Sequence, residues 1–138
     1  MLSEEIIITQ LLDNFAANDY GDFLINNATE DFLFIRPSGN PIDAKGFIKM
    51  KTSGDLVDGY SDIKKIHKLE FFSSDAAICV FTLRASFVYK GVQNSDLATV
   101  TAIIKKTKNQ WKFAWMQRST GDSDTSLWDS FSNGSIND

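Results

Sequence analysis

The sequence predicts an α+β domain, because its helical and strand signals occupy different parts of the chain. Apolar residues near the N-terminus recur at helical spacing, whereas residues 76–119 are rich in Val, Ile, Phe and Thr and are interrupted by two turn signals. Three long strands in a meander therefore form the C-terminal part of the domain. Helices on one face of an antiparallel sheet are expected, and because strands of about ten residues or more usually curl, the sheet should be bent with a concave face.

Three helices are predicted before the meander. The first begins after Ser3, an N-cap residue, and ends near Asn18; a second, short helix covers Tyr20–Asn26; Asp43 caps a third, Ala44–Thr52. The first helix carries one buried stripe, made of Ile7, Ile8, Leu11, Leu12, Phe15 and Ala16.

The strands are separated by Gly, Pro, Asn, Asp and Ser. Asp55–Tyr60 is expected to be a loop, and Gly91–Ser95 to be a turn. Lys64, Lys65 and Lys68 are typical of an edge strand, where lysine discourages pairing with foreign chains. The predicted strands are Asp31–Arg36, Pro41–Ile42, Ser61–Phe72, Ala76–Lys90, Asp96–Lys106 and Gln110–Ser119.

Composition excludes several classes of function. The 138 residues suit one domain, and a net charge of −4 offers no electrostatic reason to bind nucleic acid or an anionic membrane. No apolar run reaches the ~18 residues of a membrane span. Glu4 and Glu5 stand where a signal peptide would carry positive charge, so a cytoplasmic location is expected. With Cys79 as the single cysteine and no His or Cys beside His67, neither a metal nor another cofactor is predicted.

The C-terminal tail differs in composition from the rest of the chain. Residues 122–138 are rich in Ser, Asp, Asn and Gly and are predicted to be a flexible polar tail, although Trp128 and Phe131 could form one docking turn. The folded domain is therefore predicted to cover residues 1–121.

Three stretches in order resemble the nuclear transport factor 2-like superfamily, which includes SnoaL-like and ketosteroid-isomerase-like domains. Asp31–Phe47 (DFLFIRPSGNPIDAKGF) resembles that superfamily's strand, Pro/Gly turn and helix entry. Asp75–Ala77, followed by a strand with Arg84, and Trp111–Gly121 (WKFAWMQRSTG) resemble the calcium/calmodulin-dependent kinase association domain. The resemblance implies a cone-shaped, cystatin-like fold, with three N-terminal helices on the concave face of a strongly bent antiparallel sheet, and a homodimer joined through the sheet.

The resemblance also suggests a pocket. Two positions after the closing Trp111 commonly carry histidines in the related branches, and here they are Trp115 and Gln117. Strict alternation places both on one face with Trp111, Phe113 and Ser119, and the resemblance puts that face in the concave pocket. The alternatives are a ligand cavity with an aromatic wall or plain core packing.

Three further residues are candidates for the pocket. Arg84 lies in an apolar strand, so it indicates either a site for a carboxylate or a structural ion pair. Arg36 is expected at the cavity rim or on the surface, and Tyr60, like Tyr20, at the cavity mouth. The predicted ligand-binding residues are thus Trp115, Gln117, Phe113, Arg84, Arg36 and Tyr60.

The favoured function is a non-catalytic homodimeric domain whose cavity binds a small, partly apolar molecule. Catalysis is disfavoured because histidine is missing from the two pocket positions, and because Asp96, at a strand start, is the only acid between Ala76 and Ser119. The alternatives are a SnoaL-like isomerase or lyase that uses an acid such as Asp31 with a Tyr or Arg, and a pure association module. An acid within hydrogen-bond reach of a Tyr or Arg inside the cavity would favour the enzyme.

Overall fold

A computed structural model describes residues 3–17 and 21–121 and confirms the α+β class. Tyr20 and the predicted tail, 122–138, lie outside the described residues. No helix of the described part is long and apolar enough to cross a membrane. The elements are α1 (Glu4–Ala17), α2 (Gly21–Asn27), β1 (Ala28–Ile35), β2 (Pro41–Asp43), α3 (Ala44–Thr52), β3 (Leu56–Ser73), β4 (Ala76–Tyr89), β5 (Val92–Thr107) and β6 (Gln110–Gly121).

The strands form one six-stranded sheet in the order β2-β1-β6-β5-β4-β3. All neighbours are antiparallel except β1 and β6, which pair in parallel, so the prediction of an antiparallel sheet is wrong at this contact. The parallel pair joins strands far apart in sequence, and no local signal specifies it. The lysine-rich strand β3 lies at an edge, as predicted.

Two segments predicted to be irregular are strands. The loop prediction for Asp55–Tyr60 is wrong because β3 begins at Leu56 and pairs with the end of β4 at Tyr89. The turn between β4 and β5 contains only Lys90 and Gly91, both with positive φ (49° and 80°), so Val92–Ser95 continue the ladder. A long neighbouring strand supplies hydrogen bonds along its full length, and this pairing overrides weak local strand propensity.

Both predicted N-caps are confirmed. The Ser3 hydroxyl accepts a hydrogen bond from the Ile6 amide (3.2 Å), and the Asp43 carboxylate accepts one from the Gly46 amide (2.8 Å). The apolar stripe of α1 is buried against the inner face of the sheet. The Ser61 hydroxyl of β3 donates to the Ala16 carbonyl at 2.8 Å, which ties the end of α1 to this edge of the sheet.

Register shifts interrupt several ladders of the sheet. The β3–β4 ladder has four of them, and the β5–β6 ladder has one, between Ile103 and Ile104. An extra residue in one strand bends that strand and increases its twist. The bulge in β6 also decides which of its side chains reach the inner face.

Candidate functional site: a cavity on the inner face of the sheet

A cavity of about 460 Å³ lies between the inner face of the sheet and helices α1 and α3. This volume is within the range of about 300–1,000 Å³ that is usual for small-molecule sites. Most of the wall is apolar and comes from six elements. Its main apolar residues are Phe15, Phe34, Phe47, Met50, Leu83, Ala85, Phe87, Val100 and Met116.

One end of the cavity is polar. Arg118 on β6 donates from Nη2 to Oδ1 of Asp96 on β5 at 2.8 Å, and the two side chains are only 16% and 17% exposed. The Arg118 guanidinium also lies 5.8 Å from the ring centroid of Phe87. The ion pair is therefore held in place and largely shielded from water. Asn94, Ser38 and Thr120 line the cavity as well.

A second arginine, Arg36, also lines the cavity. Its Nε donates to the backbone carbonyl of Asn40 at 3.0 Å, and none of the ion pairs found among the described residues involves it. Arg36 directly follows Ile35, which pairs with Gln117 in the parallel register of β1 and β6. Continuing that register places Arg36 beside Arg118, so two guanidinium groups and one carboxylate belong to this end of the cavity.

The closing strand does not alternate as predicted, because Ala114 is an extra residue. Ile104 of β5 pairs with Phe113, but the residue before it, Ile103, pairs with Trp115, so the register skips Ala114. Side chains before the bulge and after it therefore reach the inner face from positions of opposite parity. The prediction that Trp115 and Gln117 face the cavity is wrong. Inner-face positions of β6 are Trp111, Phe113, Met116, Arg118 and Thr120.

The remaining predicted residues have different surroundings. Phe113 is fully buried in the core, with its ring centroid 5.3 Å from that of Phe15, and is not part of the cavity wall. Arg84 is exposed on the opposite face of the sheet, and Tyr60 is 65% exposed on the edge strand. Of the residues predicted to bind ligand, the structure brings Arg36 alone to the cavity.

The acidic residue that lines the cavity is Asp96 and not Asp31. Asp31, suggested as a catalytic acid, is exposed and accepts a hydrogen bond from the Thr29 hydroxyl (2.7 Å), which lowers the pKa of Asp31. Asp96 and Arg118 were missed, because strict alternation aimed Arg118 away from the cavity. The available signal was a pair of opposite charges inside two long, largely apolar strands. In the described part of the chain, no group of three His, Cys, Asp or Glu side chains could hold a metal ion.

The side of the sheet opposite the cavity carries apolar and hydroxyl side chains. We use the name outer face for the surface formed by Ile78, Val80, Thr82, Thr99, Thr101, Ile103, Trp115 and Gln117. Its apolar members are half-buried rather than covered. At Thr82, His67 Nε2 of the neighbouring strand β3 lies 2.7 Å from the Thr82 hydroxyl, which lies 2.8 Å from the Thr99 hydroxyl. Burial, with a smaller effect of Lys65, lowers the pKa of His67.

A family model described as "Protein of unknown function (DUF3804)" matches residues 3–129. The chain belongs to the DUF3804 family. A nuclear transport factor 2-like protein of unknown function from Prochlorococcus marinus is 57% identical to this DUF3804 protein. That structure has a TM-score of 0.83, and the match covers 92% of this chain and 100% of that chain. None of the curated proteins compared with the DUF3804 protein matches it.

More distant structures share the fold. A protein from Exiguobacterium sibiricum, named as a calcium/calmodulin-dependent kinase II association domain, is 14% identical (TM-score 0.75; 90% of this chain, 98% of that chain). A hexachlorocyclohexane dehydrochlorinase is 13% identical (TM-score 0.69; 85% of this chain, 84% of that chain). At such identities the likeness concerns the fold alone. The DUF3804 protein therefore has the nuclear transport factor 2-like, cystatin-like fold.

Proposed function

We propose that the DUF3804 protein is a homodimeric, cytoplasmic binding domain whose cavity takes a small, partly apolar molecule. The observation that carries this proposal is a cavity of about 460 Å³ that is mainly apolar and has charged groups at one end. A core that served stability alone would fill this volume, because empty space costs packing energy. An apolar wall with a few fixed polar groups is instead the usual form of a ligand site.

A dye-binding assay tests ligand binding. The wild-type protein should bind the neutral dye N-phenyl-1-naphthylamine saturably, with increased fluorescence. Ala85→Phe should abolish this binding because it places a ring in the cavity, whereas Val92→Phe, at a position 63% exposed, is the matched control and should bind normally. Absence of saturable binding to the wild type would contradict the proposal.

The second copy in the proposed dimer covers the outer face. Ile103 and Trp115 are register partners on this face, and both are half-buried in the single chain. Apolar surface of this kind is stabilised by a partner, and an isologous pairing of two sheets covers it on both copies. The fold is shared with the Exiguobacterium protein that is named as an association domain.

Sedimentation velocity at micromolar concentration tests the assembly. The wild type should sediment as a dimer, and Trp115→Arg as a monomer, because two buried guanidinium groups would meet without acceptors. Val92→Arg adds the same charge at an exposed apolar position away from this face and should remain dimeric. A monomeric wild type would refute the dimer without affecting the ligand proposal.

An enzyme remains the second candidate, on one observation. Asp96 lies within hydrogen-bond reach of Arg118 inside the cavity, and the described part of the chain gives no hydrogen bond to its second carboxylate oxygen, which a ligand can therefore use. A dehydrochlorinase shares the fold. Exchange of α-protons for deuterium in a panel of small ketones and carboxylates, followed by NMR, separates the alternatives. Exchange that requires the protein and disappears in Asp96→Asn would favour the enzyme.

A further inference from the structure

The two arginines at the polar end of the cavity lie on the same two strands as part of its apolar wall. Phe34 on β1 is the register partner of Met116 on β6, and both line the cavity. Arg36 and Arg118 follow two residues later on the same strands, and therefore on the same face. Adjacent strands lie only about 4.8 Å apart. A ligand whose apolar body rests on Phe34 and Met116 would thus bring its end to both guanidinium groups.

The charges at this end do not cancel. Asp96 neutralises Arg118 through the 2.8 Å ion pair, while the hydrogen bond from the Arg36 side chain goes to the neutral carbonyl of Asn40. Among the described residues, one positive charge is left over in a region partly walled by apolar side chains, where charges interact more strongly than in water. A neutral ligand would leave this charge unmatched, and a dianion would bring a second negative charge towards Asp96.

A carboxylate fits this arrangement better than other anions. The planar guanidinium of arginine presents parallel N–H groups that match the two oxygens of a carboxylate. Since Arg36 uses only Nε for Asn40, its terminal nitrogens can donate to such a group. The apolar wall, with Phe15, Phe34 and Phe47, suits an aliphatic or aromatic body.

We propose that the ligand of the cavity is a small monocarboxylate with an apolar body, held by Arg36 beside Arg118, and that Asp96 restricts the ligand to a single negative charge. This inference rests on the proposed binding function and gives its ligand class. Asp96 is a specificity-determining residue in this view, because it remains paired with Arg118 while the ligand binds.

Matched ligands test the inference by isothermal titration calorimetry. The probes are 4-phenylbutyrate, its neutral isostere 4-phenylbutanamide, and the dianion 4-phenylbutyl phosphate. The carboxylate should bind roughly tenfold or more tightly than the amide, as expected for charge-assisted hydrogen bonds. Arg36→Met should remove this difference, and Arg36→Lys should restore part of it. Arg84→Met, which removes an exposed arginine from the other side of the sheet, is the matched control and should preserve the difference.

The Asp96→Asn variant tests the charge restriction. Asparagine keeps the shape and one acceptor for Arg118 but removes the negative charge, so binding of the phosphate should improve roughly tenfold or more relative to the amide. Circular dichroism and melting of each variant verify that it is folded, and the binding ratio between two ligands cancels a general loss of active protein.

The outcomes separate the two proposals. If the neutral dye and all three probes fail to bind, the binding function itself is wrong. If the dye binds but 4-phenylbutyrate does not, or binds no better than the amide, the ligand class is wrong while the binding function stands. A preference for carboxylate that survives Arg36→Met would overturn the assigned site.

Discussion

Truncation of Phe113 tests its place in the core, because the sequence predicts this residue in a cavity wall. The structure instead buries it completely, with ring centroids 5.3 Å from Phe15 and 6.4 Å from Phe23. Removing a ring from a close-packed core typically costs ~3–5 kcal/mol in the free energy of unfolding. Each lost aromatic pair accounts for ~0.5–1.5 kcal/mol beyond the buried area. We therefore expect Phe113→Ala to lose about 4 kcal/mol, a large part of the ~5–15 kcal/mol that stabilises a domain.

Phe87→Ala is the matched control for this experiment. Phe87 is half-buried and borders the cavity, so its ring contacts fewer atoms than the ring of Phe113 does. We expect Phe87→Ala to lower the free energy of unfolding by less than ~2 kcal/mol. Urea unfolding followed by far-ultraviolet circular dichroism, at one fixed protein concentration, measures both variants. If Phe113→Ala loses no more stability than Phe87→Ala, Phe113 is not in the core and its packing against Phe15 and Phe23 is wrong.

Three further predictions concern protonation, burial and the tail. The pKa of His67 is lowered from 6.5, so the unfolded chain binds more protons than the folded chain near that pH. Neutral His67 therefore contributes to the stability of the fold above pH 6.5, and this contribution is lost as the pH falls. His67→Gln should make the urea midpoint decline less steeply with falling pH. Superimposable pH profiles would contradict this. Burial raises the pKa of the Cys79 thiol to about 12, so iodoacetamide should label it only after unfolding, as mass spectrometry would show; rapid labelling of the native protein would argue against it. A chain truncated after Gly121 should keep its circular dichroism spectrum and melt within a few degrees of the full chain, although the family match extends to residue 129; a large decrease would mean that Trp128 and Phe131 dock on the domain.

Signals that act over a few residues were predicted well from the sequence. Ser3 and Asp43 cap their helices through contacts with amides three residues away, and the stripe of α1 needs only helical periodicity. The lysines of β3 likewise indicated an edge position. These features depend on neighbours in the chain, so the order of residues specifies them directly.

The candidate site was predicted only in part, since its charged group depends on strand pairing. Arg36 was placed near the cavity because it ends a strand before a Pro/Gly turn. Asp96 and Arg118 are 22 residues apart and meet only through the pairing of β5 with β6. Neither residue has a local motif. The one signal, a charge inside each of two long strands, does not by itself show that the two residues meet.

The sequence by itself determined the α+β class, the capped helices and the strand-rich meander, because each follows from local propensity and periodicity. Tertiary structure alone decided the parallel contact of β1 with β6 and the bulge at Ala114. A bulge relieves a mismatch between two curved strands, so its position depends on the partner strand rather than on the residues around it. Since side chains alternate with a period of two, that one extra residue turned Trp115 and Gln117 outward and brought Met116 and Arg118 into the cavity.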